Sequence, residues 1–210
     1  MSCDRMGRPA AEAPIERRTY DAAWLMAEHP PRLHNANKQV VFNIARPAGS
    51  KVDGTIEYSR WPELALRARV GPISERFLTV VPGFFDYEPV ADVSGTLEWH
   101  MNFADPELFG YYGGRHMAQD ELQVAEHPVL AALREALLAE GLAARTIVDR
   151  HPTPVLVRGA ERRVHIYTAP NAAEGRPEGI YGRRFGQASA EVVVEYEPDG
   201  RNERETFDFS

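Results

Sequence analysis

The chain has almost no cysteine, and Cys3 alone rules out an internal disulfide framework and a cysteine-based zinc site. It has no hydrophobic run long enough to span a bilayer, and its start, MSCDRMGRPAAEAP, contains no apolar signal-like core. The expectation is a reducing, cytoplasmic location with no membrane partner. Positive charge is in deficit: 24 Lys and Arg against 31 Asp and Glu give a formal charge of −7. That balance argues against general nucleic-acid binding, so an anionic ligand would depend on local N–H groups and a few Arg side chains. The 7 histidines show no H-x-x-x-H or comparable ligand spacing, so neither a metal nor another cofactor is expected. Ser74 and Ser94 lack the G-x-S-x-G context of a serine hydrolase. Internal repeats and low-complexity segments are also missing. A length of 210 residues suits one domain with one substantial core.

The most informative stretch runs from Thr96 to Gly141. Leu97, Trp99, Met101 and Phe103 alternate with Glu98, His100 and Asn102, the period of a strand with one apolar face, which predicts a strand ending near Phe103. After Asp105-Pro106 comes a loop holding Gly110, Tyr111, Tyr112, Gly113 and Gly114, residue types suited to tight backbone and close approach to a ligand. Gln119-Asp120-Glu121 then opens a helical sequence. Past His127-Pro128, the spacing of Val129, Leu130, Leu133 and Leu137 predicts a helix with one apolar face, stopped at Gly141. Strand, glycine loop and helix start in that order are how an open α/β sheet presents a site, and the N–H groups of such a turn suit a phosphate or diphosphate. Consecutive helical residues diverge by about 100°. Asp120 and Glu121 are therefore not expected to face one atom, and the economical division is one carboxylate for proton transfer and one for sugar hydroxyls.

Elsewhere, residues 1–14 read as a flexible tail. Thr19 to His29 suggests a short helix with Tyr20, Trp24 and Ala27 on one side, ended by Pro30-Pro31. Gln39 to Ala45 reads as a compact apolar strand, with His34-Asn35-Ala36-Asn37 as the loop before it. Trp61 to Val70 reads as a helix, Phe77 to Val81 as a buried strand, and Phe84-Phe85-Asp86-Tyr87 as an aromatic loop. Val155 to Val157, Val164 to Tyr167 and Val192 to Tyr196 read as strands, and Phe207 and Phe209 alternate as an edge strand would. Thr168 to Arg176 reads as a loop and Pro198-Asp199-Gly200 as a turn. In Glu178 to Gly186, three glycines bracket Tyr181 and Phe185 with Arg183 and Arg184 between them, chemistry that suits a diphosphate and a stacked base. Strands alternating with helices favour a mixed α/β sandwich.

Phe103-Ala104-Asp105, Gln119-Asp120-Glu121 and His127-Pro128 together resemble the signature of poly(ADP-ribose) glycohydrolases, the hydrolytic branch of the macrodomain fold. The pattern there is an aromatic-Ala-Asn strand end, a glycine loop, a Gln-Glu-Glu triplet and an Asn-Pro-Glu helix start, and the spacings from Phe103 to Gln119 and from Gln119 to Pro128 agree without gaps. The resemblance implies a macrodomain-like three-layer α/β/α sandwich with a mixed central sheet, spanning residues 15–210 as one catalytic domain. It implies cleavage of a ribose glycosidic bond in ADP-ribose polymer, conjugate or free derivative, with Glu121 as general acid and base and Asp120 as the ribose carboxylate. A non-catalytic ADP-ribose-binding module is the alternative. Phe103, Asp105, Gly110, Gly113, Gly114 and Gln119 would then contact substrate. Gly179, Tyr181, Gly182, Arg183 and Phe185 would match the glycine-aromatic loop around the distal half of ADP-ribose. The chain departs from the pattern at three places: the family's consecutive glycines fall on Phe109-Gly110-Tyr111, Asp105 replaces Asn, and Asp120 replaces Glu. A helix start depresses the pKa of a carboxylate, whereas a bound diphosphate raises it, so the expectation is that substrate occupancy sets the protonation of Glu121.

Overall fold

The computed structural model describes residues 13–63, 80, 97–168, 173, 191–196 and 204–208. The helix expected from Trp61 lies outside them beyond residue 63, and Trp61-Pro62-Glu63 themselves are not helical. The strand at Phe77 to Val81 (Val80 apart), the aromatic loop at 84–87, the loop from Thr168 to Arg176 (Thr168 and Ala173 apart), the segment from Glu178 to Gly186 and the turn at 198–200 also lie outside the described residues.

Within the described residues the chain is mixed α/β, with four helices and small antiparallel sheets. Strand β1 (Glu16–Asp21) pairs antiparallel with β2 (Thr55–Arg60), setting Tyr20 opposite Ile56, and β2 pairs antiparallel with β5 (Val155–Arg158). β2 has the period of a half-buried strand, with Ile56 and Tyr58 inward and Thr55 and Glu57 exposed. Two short strands, β3 (Ile147–Val148) and β4 (His151–Pro152), form a hairpin. A further antiparallel sheet orders β6 (Val164–Tyr167), β7 (Glu191–Tyr196) and β8 (Arg204–Asp208), at the positions read from the sequence. The expected single mixed sheet is not found among the described residues, where all strand pairs are antiparallel and fall into three sheets.

Two sequence-based elements are corrected. The first helix, α1 (Ala22–Glu28), starts later than Thr19 because Thr19 and Tyr20 belong to β1, and Asp21 caps it by accepting from the Trp24 amide at 2.8 Å. Leu25 and Met26 face inward and Trp24 is exposed. The QVVFNIA segment is not a strand but the body of helix α2 (Ala36–Ala45). Its β-branched residues suggested a strand, yet Asn35 caps it through the Lys38 amide at 3.0 Å, and Lys38, Val41, Phe42 and Ala45 are buried at helical spacing.

Helices α3 (Gln119–Glu126) and α4 (Val129–Ala139) follow each other across His127-Pro128. α4 ends as expected: Gly141, at φ +70°, turns the chain, while its amide and that of Leu142 bond back to Leu138 and Leu137. Leu25, Val41, Tyr58, Leu122, Leu133 and Ile166 bring α1, α2, β2, α3, α4 and β6 into one hydrophobic core.

The segment from Leu97 to Phe103 forms no strand. Its apolar residues are exposed, Phe103 by 68% and Met101 by 74%, so the alternation does not mark a buried face. The segment is held instead by α3. The Gln119 amide donates to the Met101 carbonyl and accepts from the Phe103 amide, both at 2.7 Å, and Gln123 accepts from Asn102 at 2.7 Å. Gln119 and Gln123 are one helical turn apart, on the same face.

Candidate functional site

The site is built at the N-terminus of α3. Glu121 is the third residue of the helix, and its Oε2 accepts from the Ala118 amide at 2.8 Å, closing one of the donors that a helix start leaves open. Asp120 precedes it on the same first turn. Both are nearly enclosed, with Asp120 retaining 7% of its surface and Glu121 4%. Burial, followed by the hydrogen bond and charge of Glu121, pushes Asp120 up to about 7.

The missed member of the site is Lys38. Its side chain is fully buried and its Nζ donates to the Tyr112 carbonyl at 3.1 Å. Burial lowers it to about 8, against the opposing pull of Glu121 and Asp120. Reading residues 38, 41, 42 and 45 at helical spacing would have placed Lys38 inward.

The loop before α3 is wound on itself. The amides of Gly110 and Gly114 donate to the Glu107 and Tyr111 carbonyls at 2.9 and 3.1 Å, so these N–H groups serve turns instead of an anion. Gly113 does make a close approach, but to protein: a Cβ there would lie 2.2 Å from the Arg32 carbonyl oxygen. Its own carbonyl accepts from the His34 and Asn35 amides at 2.8 and 3.2 Å, seating the start of α2. At the position where the resembled family has a first glycine, Phe109 adopts φ +55°, the left-handed backbone that glycine takes most easily. Tyr112 is buried, accepts from the Arg32 amide at 2.7 Å and donates to Glu135 at 2.8 Å, while Arg32 pairs with Glu135 at 2.9 Å.

The other sequence-derived candidates have structural partners. Asp105 accepts from the Glu107 amide at 3.0 Å through its side chain, and from the Thr146 hydroxyl at 3.0 Å through its carbonyl. Gln119 is occupied by the backbone of Met101 and Phe103. Gly179, Tyr181, Gly182, Arg183 and Phe185 lie outside the described residues. His127 is buried, and its Nδ1 lies 2.8 Å from the Gln123 carbonyl. Burial lowers its pKa to about 4, so the ring is neutral at pH 7 and Nδ1–H donates to that carbonyl.

Two clefts adjoin α3. One of about 790 Å³ is lined by Trp99, Met101, Phe109, His127, Leu130 and Val157 among others, and one of about 340 Å³ by Trp99, Phe103, Gln119 and Glu126 among others. Neither is lined by Asp120 or Glu121. Among the described residues no group of three or more His, Cys, Asp or Glu is placed to hold a metal ion, and no helix is long and apolar enough to cross a membrane.

No family model matches the chain, and no curated protein or solved structure matches it.

Proposed function

We propose that this protein is a macrodomain-like hydrolase that cleaves a ribose glycosidic bond in poly(ADP-ribose) or ADP-ribosylated substrates, with Glu121 and Asp120 acting as a proton-sharing pair. The observation that carries the reading is the burial of two adjacent carboxyl groups in the first turn of α3, where burial pushes Asp120 up to about 7. The choice of ADP-ribose rests on the resemblance around Phe103, Gln119 to Glu121 and Pro128. In the reaction the pair donates its proton to the leaving oxygen as the anomeric C–O bond breaks, and the bonding electrons depart with that oxygen. Water then attacks the oxocarbenium-like carbon and returns a proton to the pair. Glu121 delivers and recovers the proton, and Asp120 stores it.

A second reading has its own observation. Glu121 is engaged with its helix and both carboxylates are almost enclosed. These features favour a non-catalytic ADP-ribose-binding module, in which the acids organise the loop and the helix start.

One paired experiment separates the readings: calorimetry with ADP-ribose beside release of ADP-ribose from polymer and from conjugates. The hydrolase releases it, and Glu121→Gln cuts that release by about 100-fold or more with affinity held within a few-fold. Unchanged release in Glu121→Gln removes the assignment of the acid. Binding with no release by the wild type establishes the module, and absence of both defeats the ADP-ribose reading.

A further inference from the structure

The cleft of about 790 Å³ beside α3 takes no part in the proposed chemistry, since neither Asp120 nor Glu121 lines it. Small-molecule sites occupy about 300–1,000 Å³ and are mostly apolar with a few placed polar groups. This cleft has that make-up. Trp99 from the segment held by Gln119, Phe109 from the loop, Leu130 from α4 and Val157 from β5 supply apolar wall. Among the described lining residues Glu98 is matched by Arg158, and His100 lies 3.1 Å from Glu98, so no net charge selects an ion of either sign.

The polar groups of the cleft are set by Gln123. Its backbone carbonyl lies 2.8 Å from His127 Nδ1, which places the ring proton on Nδ1 and leaves the lone pair on Nε2. Its side-chain oxygen accepts from Asn102 Nδ2 at 2.7 Å, and Asn102 Oδ1 is left without a hydrogen-bond partner. Gln123, His127 and Asn102 all line the cleft. A third lining residue, Thr146, gives its hydroxyl proton to the Asp105 carbonyl at 3.0 Å. Each of these side chains has therefore committed a proton to the protein and keeps an acceptor. An enclosed acceptor with no donor is costly, and a ligand that brings an N–H or O–H supplies the missing half of the bond.

We infer that this cleft is a binding site for a small, uncharged, mainly apolar molecule carrying an N–H or O–H donor, which His127 Nε2 and Asn102 Oδ1 recognise. A diphosphate does not suit it, because Arg158 is the one Lys or Arg among its described lining residues. The site is independent of the proposed hydrolysis.

The probes are indole, which is apolar and has one N–H, and benzofuran, which has the same shape with an oxygen in place of that group. Binding to the full chain is followed by NMR of the side-chain N–H signals of its 3 tryptophans, with Trp99→Phe to assign the cleft signal. Indole shifts the Trp99 signal saturably and leaves Trp24 and Trp61, which do not line the cleft, in place. Benzofuran binds about 5-fold or more weakly than indole. His127→Phe removes the acceptor while the Gln123 carbonyl keeps the residue 127 amide at 3.0 Å, and it brings indole down to the level of benzofuran. No saturable shift at Trp99, equal affinity for the two probes, or a preference for indole that survives His127→Phe overturns the inference. If His127→Phe does not fold, the wild-type comparison of the two probes decides alone. Neither probe contains ADP-ribose, so failure here and failure of the hydrolase reading are separate results.

Discussion

A carboxyl group whose pKa rises on folding stabilises the protein at the acid end of its range. Asp120 goes from an ordinary value of 3.8 to about 7, so the folded state holds the extra proton. Its contribution is fully present below about 3.8 and is lost as pH rises through about 7. His127 works in the opposite direction. It is lowered from 6.5 to about 4, so stability due to it grows as pH rises between those values. In the overlap of the two windows the effects oppose each other. Asp120→Asn keeps the shape and removes the titration, so its melting temperature should gain on the wild type steadily from pH 4 to 7. Parallel curves from melts across that range would show that Asp120 does not hold the proton. At this scale the sequence was informative about identity and silent about coupling. The adjacency of Asp120 and Glu121 is plain, but the rise of Asp120 comes first from burial, and no spacing rule states how closely the first turn of α3 is packed.

The helices show why some elements were legible and others were not. α4 was readable because its apolar spacing, its start after Pro128 and its stop at Gly141 all agree, and α3 because its charged first turn precedes that pattern. α2 was hidden by Val40, Val41 and Ile44, whose β preference is weaker than the combined effect of the Asn35 cap and burial along one side. Leu97 to Phe103 misled in the other direction. Its alternation is real, but the described residues supply no partner strand, and the backbone bonds go to Gln119. The structure also assigns the tight loop a different reason for its glycine: Gly113 serves the packing of α2. Gly113→Ala places a methyl group against the Arg32 carbonyl and breaks the seat of the His34 and Asn35 amides. Urea unfolding should register a loss of about 1–3 kcal/mol, with Gly114→Ala, where a Cβ meets only the Tyr111 carbonyl oxygen at an ordinary 3.5 Å, as the check.

Across the molecule, the α/β class and the positions of the late strands were evident in the alternation of hydrophobic runs and turn residues. The division of the described strands into three antiparallel sheets was not, since strand pairing is decided by contacts between residues far apart in the chain. β1, β2 and β5 show the difficulty: their partners are separated by two helices and by the whole of α3 and α4. What joins α3 to the last sheet is Glu126, which accepts from Arg162 at 3.0 Å and from the Ile166 amide at 2.8 Å, while its carbonyl accepts from the Arg163 amide at 2.7 Å. The acid is buried with its partner, and burial leaves its pKa raised in spite of Arg162. Glu126→Ala removes the acceptor of the Arg162 guanidinium and of the Ile166 amide, and equilibrium unfolding should show a loss of about 3–5 kcal/mol. A change within a few tenths would mean that the Glu126 side chain adds little to what the Arg163 backbone bond and apolar packing already hold.

The self-closing of α3 links chemistry to mechanics. The oxygen that receives the Ala118 N–H belongs to the side chain proposed to trade protons with substrate. Each protonation of that carboxyl weakens its hold on the first helical turn, and each release tightens it again. A turnover at this position would make the start of the helix breathe in step with the bond being cut.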